Sequence, residues 1–287
     1  MKTELSGYFY GFLGVLGFSL TLPATRVAVS DLNPVFVGLG RAVMAVILAA
    51  IALLLTRQSL PPRRFLPRFA LIVGGVIVGF PVLSAWAMQQ VPASHGAVVT
   101  GLLPLATALA AVWRGKERPS VKFWLFSLLG SAIAIAFALN SGSGALHPAD
   151  LALLGAVIAA GIGYAEGAVL SRTLGAWQVI AWALVFSVPL LLPIILASGL
   201  PEFSAVSYPA WMGFIYVSLV SMFLAFIAWY RGLAIGGIAR IGQMQLLQPF
   251  LTIIASGVLL NEQITGDVFI YAIGVSLCVA LGRSSRK

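Results

Sequence analysis

The sequence predicts an all-α integral membrane protein with ten transmembrane helices arranged as two inverted five-helix repeats. Its 287 residues are 60% apolar and only 9% charged, whereas an ordinary soluble domain carries about 25% charged residues. Ten apolar segments follow one another, each close to the ~20 residues that a helix needs to cross a bilayer. The two halves of the chain also carry matching residues at matching spacings.

The breaks between these segments contain proline, glycine or charge, and none is long enough for a soluble domain. Backbone polar groups in lipid must be satisfied by helices or by a closed barrel. The runs are too long and too uniformly apolar for barrel strands, so we predict helices. No clear small-residue cleavage site follows the first segment, which favours a retained helix over a signal peptide. The segments cover residues 7–25, 34–55, 69–88, 93–113, 121–139, 150–171, 177–198, 208–230, 237–260 and 267–282.

The charged residues sort by side of the membrane. The net charge is +9, and with the N-terminus in the cytoplasm nearly all lysines and arginines fall in cytoplasmic connections. Most acidic residues fall outside. This distribution follows the positive-inside rule and predicts that both termini are cytoplasmic. It also explains the positive charge without a nucleic-acid partner.

An internal duplication appears when Pro104 is aligned with Pro249. In each half a glutamate lies thirteen residues after the proline and an ionisable residue lies nine residues before it, namely Glu117 and Glu262, and His95 and Arg240. Each half holds five predicted helices, an odd number, so the second half enters the membrane from the opposite side. Inverted repeats of this kind are typical of secondary transporters, which bind substrate near the midplane where the repeats meet. We predict two units, residues 1–143 and 144–287.

The pattern that closes each half resembles the EamA-type ten-helix branch of the drug/metabolite transporter superfamily. It consists of Leu103-Pro104, Glu117 and Gly130 in one half, and of Gln248-Pro249, Glu262 and Gly274 in the other. The resemblance covers essentially the whole chain. It implies an inner (plasma) membrane carrier, in most cases an exporter of amino acids and related metabolites. It also implies a central cavity lined by helices 3, 4, 8 and 9 with parts of helices 1 and 6, and glutamates that cap helices or anchor loops.

Polar residues within the spans are candidates for that cavity, because polar groups at membrane depth are costly. One face of helix 9 carries several of them, and the alternative is that they join helices to one another. Arg41 is open to a substrate carboxylate, to backbone carbonyls or to the outer surface. The predicted substrate-binding residues are Gln245, Gln248, Thr252, Thr100, Thr107, Arg41, Tyr164, Trp86, Trp229 and Tyr230, although a place in the interfacial belt also accounts for Trp86.

A second group of residues is predicted to act in gating or coupling. Glu166 is the one acid deep within a span, and it either binds a proton or a substrate ammonium or is neutralised by an arginine, for which Arg240 is the expected partner. His95 lies at the external edge as a solvated cap or a proton relay. Pro104 and Pro249 are expected to interrupt their helices, as hinges or as simple bends.

The sequence predicts a transporter and not an enzyme. It has no nucleotide-binding loop, no metal-ligand spacing and no nucleophile–base arrangement within the spans, so no cofactor or metal is expected. Transport is then coupled to an ion gradient such as protons, to exchange, or to the gradient of the solute itself. Its partners are a small-molecule substrate and the lipid bilayer. Multidrug efflux of lipophilic cations and metabolite uptake remain alternatives, and the oligomeric state stays open.

Overall fold

A computed structural model of the chain describes residues 2–117, 120–140, 147–264 and 266–281. Nearly all of these residues are helical and none forms a strand, which confirms the predicted all-α membrane fold. The predicted boundary between the two units, after residue 143, lies outside the described residues. So do Arg118 and the basic C-terminal residues that the topology places in the cytoplasm.

Ten helices make up the described parts of the chain. Eight of them are long and apolar enough to cross a membrane. The other two, α5 and α10, are the fifth helix of each half, and that they cross the membrane remains a prediction. The helices are α1 (Leu5–Ala28), α2 (Pro34–Leu55), α3 (Arg63–Gln90), α4 (Ala93–Gly115), α5 (Val121–Asn140), α6 (Pro148–Leu174), α7 (Ala176–Ala197), α8 (Tyr208–Gly236), α9 (Ile238–Leu260) and α10 (Gly266–Leu281).

Several of these helices are irregular near their middle. The α-helical hydrogen-bond pattern of α1 is interrupted between Ser19 and Thr21, and that of α4 is interrupted between Thr100 and Leu103. Each interruption is called a pause below. Wider π-helical turns occupy Val73–Gly79 in α3 and Tyr216–Leu224 in α8, and a 3₁₀ segment occupies Gln243–Leu247 in α9. Such segments loosen the backbone ladder and often mark functional sites.

The two prolines lie differently from the prediction. Pro104 and Pro249 do not interrupt a continuous helix. Each lies in the first turn of the α-helical segment that resumes after the irregular stretch, at Leu103–Gly115 and Gln248–Leu260. In that position the missing backbone N–H costs nothing and the fixed φ angle suits the helix. The irregular turn therefore precedes each proline.

Contacts between connections define two ends of the bundle. At the acidic end, the backbone N–H of Ser207 before α8 donates to Asp31 after α1, at 2.9 Å. Hydrogen bonds from the side chain and backbone of Ser207, and from Ser30, hold the pKa of the Asp31 carboxyl below its ordinary value. The opposite, basic end carries Arg57, Arg63, Arg64 and Arg68, which precede or begin α3, and Arg114 in the last turn of α4.

Arg26 is a basic residue at the acidic end, and the structure gives it a local partner. Its guanidinium donates to the backbone carbonyls of Met88 and Val91, where α3 ends, with a distance of 2.8 Å to the second. A cation beside the last carbonyls of a helix satisfies acceptors that have no partner within the helix. Arg26 therefore ties α1 to α3.

Close glycine contacts hold the helices together. At the α1–α8 contact, a Cβ on Gly232 would lie 2.7 Å from the backbone nitrogen of Gly11. At the α3–α6 contact, a Cβ on Gly163 would lie 2.6 Å from a methyl group of Val76. Because apolar burial drives little association in lipid, small residues that let backbones approach supply much of the packing. These contacts place α1, α3, α6 and α8 around the centre of the bundle.

Candidate functional site

A small cavity lies at the centre of the bundle, between helices of both halves. The free space among its side chains is about 10 Å³, roughly enough for one water molecule, so the site is closed up in this conformation. Helices α1, α3, α6, α8 and α9 contribute to it as the resemblance implies, α2 contributes as well, and no described residue of α4 does. The lining residues are Phe18, Thr21, Arg41, Val76, Phe80, Ala160, Tyr164, Ser221, Phe226 and Gln248.

Arg41 is the charged residue of this cavity. Helix α2 begins where the side chain of Asn33 accepts a hydrogen bond from Val35 and Pro34 supplies the first helical residue. Arg41 follows seven residues later, about 10 Å along the helix. Its side chain is only 2% exposed, and it forms no hydrogen bond or ion pair with any described residue. A buried guanidinium without a partner is costly, and Arg41 is therefore a candidate binding group.

Polar groups of α1, α8 and α9 surround the cavity. The Thr21 hydroxyl lies 2.8 Å from the Ser221 hydroxyl, which joins the pause in α1 to the π-helical part of α8. Gln248, in contrast, is buried and its amide oxygen has no hydrogen-bond partner among the described residues. Gln248 therefore offers an unused amide beside Arg41, while the two hydroxyls bind each other.

The remaining polar residues of the predicted face divide into two groups. Gln245 and Thr107 are buried, and their side-chain polar atoms lack hydrogen-bond partners within the described residues. Thr100 donates to the carbonyl of Gly96 in its own helix. Thr252 donates to the carbonyl of Ser19 at 2.7 Å, where α1 pauses. Thr252 thus satisfies an acceptor that the pause leaves open, and neither Thr100 nor Thr252 lines the cavity.

The predicted aromatic residues lie mainly behind the cavity wall. Tyr164 lines the cavity, and the Trp229 ring packs against it with ring centres 5.6 Å apart. The Tyr230 hydroxyl donates to the carbonyl of Gly163 at 3.2 Å. Trp86 is 39% exposed on the outer surface of α3, so its prediction as a cavity residue is wrong and its place in the lipid-facing belt is the better description.

Glu166 forms ion pairs at the basic end of the bundle. Its carboxylate is fully buried and contacts the guanidinium of Arg114 in the last turn of α4. Arg68 of α3 lies 3.8 Å from its other oxygen. The predicted pair with Arg240 is therefore wrong. Arg114 and Arg240 reach similar depths from the same end, and the packing of α4 against α6 brings Arg114 to the acid.

Glu117 caps a helix of the other half, as the resemblance implied. Its two carboxylate oxygens accept hydrogen bonds from the backbone N–H groups of Ile238 and Ala239, at 3.0 and 2.9 Å. These N–H groups open α9 and have no partner within the helix. Lys116, just before the glutamate, takes a left-handed conformation with φ of 55° that ends α4 and turns the chain.

The acidic end shows the corresponding arrangement. Glu262 accepts hydrogen bonds from the backbone N–H groups of Ala93 and Ser94, which open α4, at 2.8 and 3.0 Å. Beside it, a ring nitrogen of His95 lies 2.6 Å from a carboxylate oxygen of Asp150 at the start of α6. His95 is thus paired with a buried acid instead of forming a solvated cap.

A protein-family model described as the EamA-like transporter family matches residues 5–139 and again residues 147–281. The chain belongs to the EamA-like transporter family. Membership indicates a multi-pass membrane transporter. The two matched ranges cover the helices that enclose the cavity of this EamA-like chain.

Two curated proteins are similar to this EamA-like chain. The uncharacterized transporter YdeK of Bacillus subtilis (strain 168) is 47% identical over 287 residues, which covers all of both chains. Protein PecM of Dickeya dadantii (strain 3937) is 25% identical over 238 residues, covering 77% of this chain and 76% of that protein. A solved crystal structure whose description names no function shares the fold, with a TM-score of 0.73 at 17% identity over 96% of this chain and 98% of that one.

Sequence reasoning missed several residues at the site. The sequence analysis used Arg68 and Arg114 only to orient the chain in the membrane. Both lie close enough to the ends of their apolar segments for their side chains to reach Glu166. Thr21 and Ser221 gave a weak signal as hydroxyl side chains within apolar runs. The rings of Phe18 and Phe226 gave none, because phenylalanine is common on every face of a membrane helix.

Proposed function

We propose that this chain is an inner-membrane secondary carrier that exports small metabolites, such as amino acids or their derivatives, by alternating access. The observation that carries the proposal is the central cavity with a buried, unpaired Arg41 and the unused amide of Gln248 beside it. Membership of the EamA-like transporter family supports transport, and the family resemblance supports export of metabolites.

The carrier is proposed to consist of two inverted five-helix units, residues 1–143 and 144–287. The family model matches once in each unit, which supports this division. The packing supports it too, because α1 with α8 and α6 with α3 are counterpart pairs under the duplication. An inverted repeat allows the two units to exchange roles about a fixed midplane site.

The orientation follows from the charges. We place the basic end in the cytoplasm according to the positive-inside rule, so export runs from the basic end to the acidic end. Contacts join the two halves at both ends, through Glu166 with Arg114 at the basic end and through His95 with Asp150 at the acidic end. Alternating access requires that the contacts at one end open while those at the other end hold. His95 with Asp150 is the candidate pair for proton coupling.

Efflux of lipophilic cations is a poor fit to this site. The charged group that lines the cavity is the guanidinium of Arg41, which repels cations. The buried carboxylate of Glu166 is occupied by Arg114 and Arg68. A cation would therefore meet like charge at the centre of the carrier and would have to displace an arginine to reach an acid.

The test is uptake of labelled amino acids and their derivatives into inside-out membrane vesicles, with and without an imposed pH gradient. We expect saturable uptake by vesicles that contain the protein, and a loss of at least about tenfold for Gln248→Leu, because the cavity loses a polar contact. Trp86→Leu is the matched control on the lipid-facing surface and should transport normally. Equal rates with and without the protein across the panel would contradict the carrier function.

A further inference from the structure

We infer that the substrate is a monoanion, a carboxylate on an apolar or aromatic body without a free ammonium group. The inference rests on the proposed carrier function and narrows its substrate class, from amino acids and their derivatives to derivatives that keep the acid and lack the amine. It follows from the balance of buried charge, from the polar groups of the cavity and from the composition of its wall.

The buried acidic side chains of the described residues have partners, whereas the buried arginine at the cavity does not. Among the described residues, three acidic or basic side chains are almost completely buried: Arg41, Asp150 and Glu166. Glu166 is paired with Arg114, and Asp150 accepts a hydrogen bond from His95. Arg41 has no such partner in the described chain. Among these three buried side chains, the one without a partner in the described residues is therefore the positively charged Arg41.

A buried arginine without a partner is a suitable binding group for the carboxylate of a ligand. Its guanidinium presents N–H donors in a planar fork that matches the two oxygens of a carboxylate. The pair gains charge-assisted hydrogen bonds that are strongest where water is excluded. Burying Arg41 alone costs free energy, and an anion that enters the cavity offsets that cost. A neutral solute does not, so the site itself selects for negative charge.

The same cavity offers no counter-charge to an ammonium group. No carboxylate of a described residue lines it, and Glu166 is held by Arg114 at the basic end. A zwitterionic amino acid that placed its carboxylate on Arg41 would bring its ammonium near the guanidinium without a counter-charge. That uncompensated group works against free amino acids. The amide of Gln248 suits a carbonyl or hydroxyl group in the position where an amino acid carries its amine.

The wall of the cavity favours an apolar body. Phe18, Phe80, Tyr164 and Phe226 supply four rings, and Val76 adds an aliphatic surface. The rings of Phe18 and Phe226 pack edge to face with centres 5.0 Å apart. Aromatic faces accept apolar groups and other rings at favourable offsets. Small hydrophilic anions would leave this surface unused, so the acid is expected to carry an aliphatic or aromatic group.

The first test is ligand-induced stabilisation of the purified, full-length protein in detergent micelles. Four probes share a phenyl ring and differ in charge: N-acetylphenylalanine, phenylpyruvate, phenylalanine and phenethylamine. We expect the two monoanions to raise the melting temperature with increasing concentration. The zwitterion should need about tenfold higher concentration or more, and the amine should have no effect. Stabilisation by the amine, equal stabilisation by phenylalanine, or none by either monoanion overturns the inference.

The second test replaces the arginine. Arg41→Gln should weaken the response to both monoanions by about tenfold or more, and Arg41→Lys should retain part of it. Arg64→Gln removes an exposed arginine at the basic end and should behave as wild type. Because Arg41 is unpaired, Arg41→Gln without ligand should melt at the wild-type temperature or above it. An Arg41→Gln protein that fails to fold, or that melts lower and still binds the monoanions, contradicts the inference.

Flux of the same probes into proteoliposomes separates this inference from the carrier function. Binding of the monoanions without flux contradicts the carrier function and leaves the anion site in place. Flux of phenylalanine or phenethylamine that does not depend on Arg41 supports the carrier function and overturns the anion site. Flux of the monoanions that Arg41→Gln abolishes and Arg64→Gln preserves supports both.

Discussion

Glu117 and Glu262 cap each other's helices. Glu117 follows α4 and binds the first backbone N–H groups of α9, whereas Glu262 follows α9 and binds the first backbone N–H groups of α4. In each case the residue just before the glutamate, Lys116 or Asn261, takes a left-handed conformation. A carboxylate at a helix N-terminus satisfies orphan donors and complements the helix dipole. The same contact thus joins the two halves once at each end of the bundle.

Removing either cap should weaken the protein. We expect Glu117→Gln and Glu262→Gln each to lower the free energy of unfolding by about 1 kcal/mol, because the charge at the helix N-terminus is lost. Thermal melting of the purified protein measures the effect. Glu202→Gln changes an exposed acid at the acidic end and should leave the melting temperature unchanged. A lower melting temperature for only one of the two variants would contradict a stabilising role for both caps.

The ion pairs of Glu166 should be worth more than a surface salt bridge. Glu166→Gln leaves Arg114 and Arg68 without their acid, and we expect a loss of about 1–3 kcal/mol, because both arginines are partly exposed and can turn to water. A double-mutant cycle with Arg114→Gln measures the coupling directly. Strictly additive effects of the two substitutions would show that this pair does not join α4 to α6.

The α1–α8 contact should not tolerate a side chain at its glycine. Gly232→Ala places a methyl group 2.7 Å from the backbone nitrogen of Gly11, so the helices must separate, at a cost of about 1–3 kcal/mol. Gly74→Ala is the matched control, since a Cβ there meets nothing within 4 Å. Thermal melting of the wild type, Gly232→Ala and Gly74→Ala measures the difference in stability. Equal melting of the Gly232 and Gly74 variants would argue against this close approach.

The contact between Asp31 and Ser207 should depend on pH. The pKa of Asp31 is held below its ordinary value of 3.8 in the folded protein. Its contribution to stability is therefore present above that value and is lost as the pH falls through the lower, folded pKa. Asp31→Asn should melt below wild type at pH 7, and the difference should vanish at acid pH. A difference that stays constant across this range would contradict the assignment.

The sequence alone predicts the membrane class and part of the site. Composition and span length give the all-α membrane fold, because few other structures bury so much apolar chain. The depth of Arg41 follows from helical rise alone. The spacing of Glu117 and Glu262 after their prolines predicts equivalent roles, because a duplicated local motif keeps its local contacts.

What the sequence does not show depends on packing between helices. The partner of Glu166 was assigned to Arg240, although Arg114 makes the contact, since depth along the membrane says nothing about rotation or neighbours. The sequence does not predict that Trp86 is exposed, for the same reason. The π-helical and 3₁₀ turns leave no mark on hydropathy, so the pauses before Pro104 and Pro249 were placed at the prolines themselves.

The central claim is that the cavity opens in turn to both sides of the membrane. The most direct measurement is labelling of Thr21→Cys, in a Cys278→Ser background, by a membrane-impermeant thiol reagent added to right-side-out or inside-out vesicles. Ser204→Cys and Gln58→Cys, in the connections at the acidic and basic ends, report the two faces separately. We predict that Thr21→Cys reacts from both faces and that each control reacts from one. Reaction of Thr21→Cys from a single face, or from neither, would contradict alternating access.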